Sequence, residues 1–203
     1  MKRLIITCTL ILFAGLLYQP GQSTGYNNDR NKFIFPEKQI QTGDIVLRNG
    51  KGFISEIFRN CSQTDPQYSH AGVAEVTSEG IYVYHILGAE DGHYSGLKKE
   101  KLSDFCHSNI NASYAVYRYS FLSGKEKFVT QYLEQISNQN IKFDEGFDLN
   151  SDSTLYCTEM IYNMCREIAS VTLPVTVFRN TGYVAPDNLY NHHFATLITK
   201  KTY

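Results

Sequence analysis

Several short stretches of the chain are apolar, or alternate between apolar and polar residues, and turn-forming residues bound each of them. This is the pattern of β-strands in a small sheet. The predicted strands are residues 45–47, 71–76, 81–87, 114–119, 173–178 and 194–199. Because a short turn at residues 77–80 separates the second strand from the third, these two strands are predicted to form a hairpin.

Three other stretches repeat apolar residues every three or four positions, which is the spacing of one face of a helix. They are residues 52–60, the segment after Ser123 and the segment after Thr154. Ser123 followed by Glu126 has the pattern of a capping box, and Asp152, Ser153 and Thr154 are candidate N-caps of the last helix. We therefore predict an α+β domain in which two or three helices pack on a small antiparallel sheet.

The first 23 residues have the organisation of a secretory signal peptide. Residues 1–3 include two basic side chains, residues 4–18 carry no charge, and residues 19–23 are polar or small. The uncharged run is shorter than the roughly 20 residues that span a bilayer, although an uncleaved anchor is the alternative. We predict an exported protein, periplasmic or extracellular, with no membrane span after signal removal. Its predicted parts are a signal peptide at 1–23, a flexible lead-in at 24–38 and one domain at 39–203.

Charge and cysteine content narrow the range of partners and cofactors. The 203 residues include 19 basic and 20 acidic ones, so the overall charge predicts no nucleic-acid partner. Removal of the signal leaves Cys61, Cys106, Cys157 and Cys165. Cys157 and Cys165 lie roughly 12 Å apart along one predicted helix, too far for a disulfide, whereas a Cys61–Cys106 disulfide stays open. No close Cys/His spacing indicates zinc, and we predict no metal or organic cofactor.

Cys157 and His70 are the candidate nucleophile and base. Cys157 lies near the start of a predicted helix, where unpaired N–H groups and the helix field favour a thiolate and can hold an oxyanion. A buried core cysteine is the alternative, because Cys157 also falls on the apolar face. His70 begins a strand, and the small residues Gly72 and Ala74 on its face leave room for a packed neighbour. A partly exposed structural histidine is the alternative for His70.

His85 is the candidate for a third group, one that orients His70. It interrupts an otherwise apolar strand, where a polar side chain usually needs a partner. If the numbers of paired residues in the hairpin sum to 155 or 157, His85 lies on the same face as His70 and within reach of it. A sum of 156 would place His85 on the opposite face of the sheet.

Five short segments together carry a resemblance to a known family. They are residues 43–47 (GDIVL), 68–73 (YSHAGV), 143–144 (FD), 147–148 (FD) and 156–159 (YCTE). With them the chain resembles the YiiX/YebB-like cysteine hydrolases, a circularly permuted branch of the NlpC-type papain-like fold. The histidine segment precedes the cysteine segment, as the permutation requires. The resemblance covers about residues 39–188, and it implies a permuted papain-like fold.

The resemblance also implies roles for particular residues. Cys157 would be the nucleophile and His70 the base, with a polar residue of the following strand as the third member. Many relatives have an acidic residue there; His85 is more similar to the His-His-Cys arrangement of lecithin:retinol acyltransferase-like proteins. The predicted substrate-binding residues are Tyr68, Asp144 and Tyr156, with core packing as the alternative for Tyr68 and turn formation for Asp144. Glu159 lies on another face of the helix from Cys157 and is predicted to be structural.

The leading functional hypothesis is an exported cysteine peptidase or amidase that cleaves an amide through an acyl-enzyme. Its expected partner is a peptide or N-acyl small-molecule substrate, with peptidoglycan fragments as candidates. One alternative is a thiol acyltransferase or lipase-like enzyme acting on lipid esters, which His85 favours and the lack of an obvious apolar docking helix opposes. The other alternative is a non-catalytic binding protein on the same fold, which a buried and unreactive Cys157 would favour.

Overall fold

Ten strands and four helices follow one another in residues 37–88, 95–149 and 154–203, the part of the chain that the computed structural model describes. In chain order they are β1 (Ile45–Gly50), α1 (Phe53–Arg59), β2 (His70–Thr77), β3 (Gly80–Leu87), β4 (Gly96–Lys101), α2 (Leu102–Phe105), β5 (Asn111–Tyr119), α3 (Glu126–Ser137), β6 (Lys142–Phe143), β7 (Thr154–Leu155), α4 (Cys157–Ala169), β8 (Thr176–Phe178), β9 (Thr181–Tyr183) and β10 (Ala195–Thr202). The predicted signal peptide and almost all of the predicted lead-in lie outside the described residues.

Six of the strands form one antiparallel sheet in the order β10-β5-β1-β2-β3-β4. The short strands β6 and β7 pair in parallel, and β8 pairs with β9 as a separate small hairpin. The predicted hairpin at 71–87 corresponds to β2 and β3, which pair from Val73–Tyr84 to Thr77–Gly80. The mixed α+β fold with an antiparallel sheet and few helices is therefore confirmed.

Two apolar cores lie on the two faces of this sheet. On one face, strand residues such as Leu47, Ala71 and Val73 pack with buried side chains of α3 and α4. On the other face, Ala74 and its neighbours pack with the short helix α2, whose Phe105 is fully buried. Because side chains of a strand alternate between faces, β2 contributes to both cores.

Some elements differ from the sequence prediction for identifiable reasons. Strand β4 was not predicted, because four of its six residues are charged and it forms the edge of the sheet, where such residues are common. Helix α3 begins at Glu126, and the capping box predicted from Ser123 does not form. The Glu126 carboxylate instead accepts a hydrogen bond from the backbone N–H of Gly124 at 3.1 Å.

The loop that leads into β2 is held by one buried carboxylate. Asp187 Oδ2 accepts hydrogen bonds from the backbone N–H groups of Gln63, Thr64 and Asp65 and from the Thr64 hydroxyl, at 2.9–3.3 Å. The carbonyl of Asp65 accepts a further bond from the Tyr190 hydroxyl at 2.5 Å. These contacts fix the polypeptide a few residues before His70, so that the start of β2 is well positioned.

The described cysteines are all free thiols, so the open question of a Cys61–Cys106 disulfide is settled against it in this structure. Cys157 and Cys165 lie on α4, as predicted. Among the described helices, none combines the length and the apolar character that a membrane crossing needs.

Candidate active site

Cys157 is the first residue of α4, and Tyr156 is the N-cap. The predicted N-cap, Thr154, lies in β7, and Asp152 and Ser153 lie outside the described residues. Pairing with β6 keeps Thr154 extended, so the helix cannot begin before that strand ends. The thiol therefore lies at the N-terminal end of the helix, where the backbone N–H groups have no partner within the helix.

Three backbone N–H groups, those of Ala71, Thr158 and Cys157 itself, contact the Cys157 thiol. Ala71 lies outside the β2–β3 register, which begins at Val73, and it is the residue that directly follows His70. Helix α4 thus brings the sulfur to the peptide group that joins His70 to Ala71. The sulfur therefore lies next to the residue that follows His70 in the chain, and the pairing of Cys157 with His70 in catalysis stays a prediction.

Burial is the strongest influence on this thiol, whose residue is 9% exposed. Burial raises the pKa of Cys157 to about 11, although the three N–H groups and the positive charge of Arg48 favour the thiolate. The N–H groups favour the thiolate, as predicted for this end of a helix, but the loss of hydration outweighs their effect. The thiol is neutral at pH 7.

The structure brings His70 and His85 into direct contact, with His70 Nε2 and His85 Nδ1 2.9 Å apart. Their rings meet edge to face, with centroids 5.0 Å apart and planes at 85°. The pairs Val73–Tyr84 and Ala74–Val83 each have residue numbers that sum to 157, which is one of the registers predicted to place both histidines on one face. His85 lies one diagonal step from His70 in that register.

Gly72 makes this close approach possible. A Cβ atom at Gly72 would lie 2.7 Å from the Tyr84 carbonyl oxygen and 3.1 Å from the Cβ of His85. Any side chain there would push β3 away from β2. The small residue noted in the sequence therefore makes room for His85 itself.

Both imidazoles are neutral at pH 7. Burial lowers the pKa of His70 well below its usual value, and the charge of Arg48 and the neighbouring His85 lower it further. Burial also lowers the pKa of His85, with Glu100 opposing that shift. Arg48 pairs with His70 across β1 and β2, and its guanidinium lies 4.5 Å from the centre of the Phe105 ring. Neutral His70 is the form that can accept a proton from a thiol.

Glu100 is a member of this cluster that the sequence analysis missed. Its Oε1 lies 2.9 Å from His85 Nε2, and its Oε2 lies 2.7 Å from Lys98 Nζ. Although burial alone would raise it, the contacts with His85 and Lys98 bring the pKa of Glu100 down to about 2. Had the charged segment been identified as a strand paired with β3, the alternation of its side chains would have pointed to Glu100.

The three predicted substrate-binding residues are structurally engaged. Tyr68 is buried edge to face against Tyr190, and its hydroxyl lies near that of Tyr117 without a well-formed hydrogen bond. Tyr156 is buried, and its hydroxyl accepts the N–H of Val184 at 2.9 Å. Asp144 accepts N–H groups of its own turn, which is the turn-forming alternative noted in the sequence. Their roles in substrate binding stay predictions.

Glu159 lies one turn beyond Tyr156 and is fully buried. Its Oε2 accepts the backbone N–H of Tyr156 at 3.2 Å, a structural role at the start of α4. Burial raises the pKa of Glu159 to about 8; the hydrogen bond from Tyr156 opposes the shift, and the carboxylates of Asp144 and Asp148 add to it. The Glu159 carboxyl is therefore mostly protonated at pH 7.

A free thiol at a helix N-terminus and a contacting histidine pair on an antiparallel sheet are the pattern of a papain-like cysteine hydrolase. The model of the permuted papain-like amidase family, YaeF/YiiX, C92, matches residues 39–193. The chain belongs to this family of cysteine peptidase and amidase-type hydrolases. Both the predicted family and the predicted class of enzyme are confirmed.

The fold is also similar to that of YiiX from Escherichia coli O157:H7, whose crystal structure is described as that of a metalloprotein. The TM-score is 0.66 at 17% sequence identity, and the match covers 81% of this chain and 99% of that chain. At this identity the likeness concerns the fold. No curated protein sequence matches the chain. Within the described residues, no three His, Cys, Asp or Glu side chains are grouped so that they could hold a metal ion.

Proposed function

We propose that this chain is an exported cysteine amidase that hydrolyses a peptide or N-acyl amide with Cys157 as nucleophile, His70 as base and His85 as orienting group. The observation that carries the proposal is the 2.9 Å contact between the two histidines, next to the peptide group that contacts the thiol. Export is supported by the signal-like pattern of residues 1–23.

The neutral resting state favours attack assisted by a base. As the sulfur of Cys157 bonds to the substrate carbonyl carbon, the thiol proton moves to His70, and the carbonyl oxygen becomes an oxyanion. His70 then gives this proton to the departing amine as the C–N bond breaks, which leaves an acyl-enzyme. A water molecule attacks the acyl carbon and His70 takes its proton; when the C–S bond breaks, His70 gives this proton to the departing sulfur, which restores the thiol and the neutral imidazole.

The start of α4 supplies the electrostatic part of this mechanism. The N–H of Cys157 lies at the positive end of the helix and is a suitable donor to the oxyanion. The charge of Arg48 acts in the same direction, because it favours the anionic form of the site. His85 contacts the His70 ring and orients it, as the third group of a catalytic triad does.

A second candidate function is supported by the exposed apolar side of α1. This helix has no buried residue, and Phe53 is 75% exposed, with Ile54 and Ile57 exposed beside it. Its Phe58 ring contacts Phe147, which in turn contacts the N-cap Tyr156, so α1 connects to the start of α4 through aromatic rings. An apolar helix so placed suits the acyl chain of a lipid ester or N-acyl lipid.

The test is turnover of two substrate panels, peptidoglycan peptide fragments and fatty-acyl amides and esters, by the wild type and by Cys157→Ala. We expect the wild type to release an amine from at least one amide and Cys157→Ala to be inactive, because the nucleophile is gone. Cys165→Ala is the matched control, since it removes a buried thiol from the same helix. We expect it to retain activity.

Each outcome selects one hypothesis. Cys157→Ala activity near that of the wild type would refute the proposed nucleophile. Turnover confined to lipid esters would favour the lipase-like alternative over the amidase. Binding of panel members without turnover by the wild type would favour the non-catalytic binding protein.

A further inference from the structure

Glu100 has no part in the mechanism above, although it lies directly behind His85. Its Oε1 lies 2.9 Å from His85 Nε2, which is the length of a hydrogen bond, although the ring N–H points away from a straight line to the carboxylate oxygen. Lys98 contacts the other carboxylate oxygen. The groups therefore form a series from Glu100 through His85 to His70, and the backbone N–H of the next residue, Ala71, contacts the Cys157 thiol.

We propose that Glu100 is a positioning residue that selects the tautomers of both histidines, so that Nδ1 of His70 is left unprotonated to accept the proton of Cys157. The inference rests on the proposed function, because it concerns how the proposed base is prepared. It goes beyond that proposal because it adds a fourth group to the site and states which nitrogen of each histidine donates and which accepts.

The carboxylate of Glu100 determines which nitrogen of His85 carries the proton. A neutral imidazole carries its proton on one of its two nitrogens, and the other nitrogen presents a lone pair. A lone pair on His85 Nε2 would face an anionic oxygen 2.9 Å away, whereas a proton there would be attracted to it. The proton of His85 is therefore on Nε2, and its Nδ1 is an acceptor.

The tautomer of His70 follows from that of His85. Since His85 Nδ1 accepts, the His70 Nε2 that lies 2.9 Å away must donate to it. The single proton of His70 is then on Nε2, and Nδ1 presents the lone pair. With the opposite arrangement, His70 would carry its proton on Nδ1 and could not accept one from a thiol at that nitrogen.

Neighbouring side chains keep the two histidine rings in this arrangement. His85 is fully buried, and the ring of Phe105 lies 5.0 Å from His85 and 5.8 Å from His70, measured between centroids. A rotated His85 ring would present carbon atoms to Glu100 and to His70. The tautomers are therefore set by the fixed carboxylate rather than by water.

The same series affects protonation during turnover. The charged groups that act on His85 are Arg48 of β1, Lys98 and Glu100 of β4, and His70 of β2 once it is protonated. Arg48 and Lys98 disfavour a positive charge on the pair, and Glu100 favours it. Removal of the Glu100 charge should therefore make the histidine pair harder to protonate.

The experiment compares Glu100→Gln with the wild type over a range of pH, on a substrate that the wild type turns over and Cys157→Ala does not. We expect kcat to fall roughly ten- to a hundredfold with KM within about twofold, because the proton relay and not substrate binding is impaired. We also expect the acidic limb of the kcat/KM profile to move to lower pH. Glu100→Asp, which keeps the charge, should recover part of kcat and the position of that limb.

Glu75→Gln is the matched control. Glu75 is also a carboxylate of this sheet that pairs with a lysine, Lys99 at 3.0 Å, and its other contact is the Tyr84 hydroxyl rather than a histidine. We expect Glu75→Gln to leave kcat and the pH profile as in the wild type. Equal effects of Glu100→Gln and Glu75→Gln, or a loss of kcat with an unmoved acidic limb, would show a merely structural role and overturn the inference.

Nitrogen NMR of the imidazoles gives a readout that needs neither turnover nor a Glu100 variant. In the wild type and in inactive Cys157→Ala, we expect Nε2 of both His70 and His85 to be protonated and Nδ1 to be bare. A proton on Nδ1 of His70 would overturn the inference even if Cys157 proved essential. An active Cys157→Ala protein would refute the proposed function instead, so the two failures are distinguishable.

Discussion

The resting protonation state of Cys157 and His70 determines how the site can react. Many reactive cysteines are thiolates paired with an imidazolium, and they react readily at mildly acidic pH. Here burial favours the neutral thiol and the neutral imidazole together. The charges of the mechanism therefore form when substrate is attacked, and the N–H groups around the sulfur are already in place to stabilise them.

This state makes a prediction for alkylation of Cys157 by iodoacetamide. The thiolate is the reacting form, so the rate should rise about tenfold per pH unit across neutral and mildly alkaline pH, towards the pKa of about 11. We expect no plateau at pH 5–6. The measurement is alkylation rate by mass spectrometry, which separates Cys157 from the other thiols.

The matched measurement uses His70→Ala, which removes the base and leaves the helix N-terminus intact. If the resting pair is neutral, the pH dependence of Cys157 alkylation in this variant should keep the slope of the wild type. A wild-type plateau at pH 5–6 that disappears in His70→Ala would instead show a resting thiolate–imidazolium pair, contrary to the structure.

Among the secondary-structure elements, β2 and β3 matter most for the site, because they hold the histidine pair. The backbones of β2 and β3 lie too close together at Gly72 to admit a side chain. A Cβ atom there would lie 2.7 Å from the Tyr84 carbonyl oxygen, its nearest backbone neighbour. A carbonyl oxygen cannot rotate away as the end of a flexible side chain can. The spacing of the two strands thus depends on this glycine.

Gly72→Ala should therefore impair both folding and catalysis. We expect the free energy of unfolding to fall by about 1–3 kcal/mol, as for other overpacked positions. We also expect kcat to fall about tenfold or more, because His85 is displaced from His70. Denaturant unfolding and steady-state kinetics measure the two effects.

Gly88→Ala is the control for this prediction. A Cβ at Gly88, just after β3, would meet Phe143 at 3.5 Å, which is ordinary van der Waals contact. We expect its stability to stay within about 0.5 kcal/mol of the wild type. A Gly72→Ala protein as stable and active as Gly88→Ala would show that β3 can yield without disturbing the histidines.

The elements also show how far the sequence could predict the site. The hairpin and the cysteine helix follow from hydrophobic spacing, and with them His70, His85 and Cys157. The register of the hairpin could not be chosen, because turns of slightly different length at residues 77–80 suit the same residues. Glu100 could not be predicted, because its strand has the charged composition of an edge strand and its partner, His85, lies on another strand.

At the scale of the whole molecule, buried titratable groups make stability depend on pH in opposing directions. Folding lowers the pKa values of His70 and His85. The folded protein therefore loses stability as the pH falls below about 6.5, the pKa of a histidine in the unfolded chain. Glu159 acts in the other direction, because its folded-state pKa of about 8 lies above its unfolded value. A comparison with a Glu159 variant separates the two effects, since both proteins keep the histidines.

Glu159→Gln should be more stable than the wild type at alkaline pH, by an amount that depends on pH. Below about pH 4.3 the Glu159 carboxyl is protonated in both the folded and the unfolded wild type, so ionisation costs nothing. As pH rises, the unfolded chain ionises first and wild-type stability falls until the folded carboxyl also ionises near its pKa of about 8. The amide keeps an oxygen for the Tyr156 N–H and has no such loss.

Urea unfolding at several pH values measures this difference. We expect the stability of Glu159→Gln relative to the wild type to grow between about pH 5 and 8 and then to level off. Glu167→Gln is the matched control, because Glu167 is exposed on the same helix and solvent hydrates its carboxylate in both states. If the stability difference between Glu159→Gln and the wild type depends on pH as little as that of Glu167→Gln, the buried carboxyl ionises as readily as an exposed one. The first turn of α4 would then carry a buried negative charge at neutral pH, contrary to the raised pKa of Glu159.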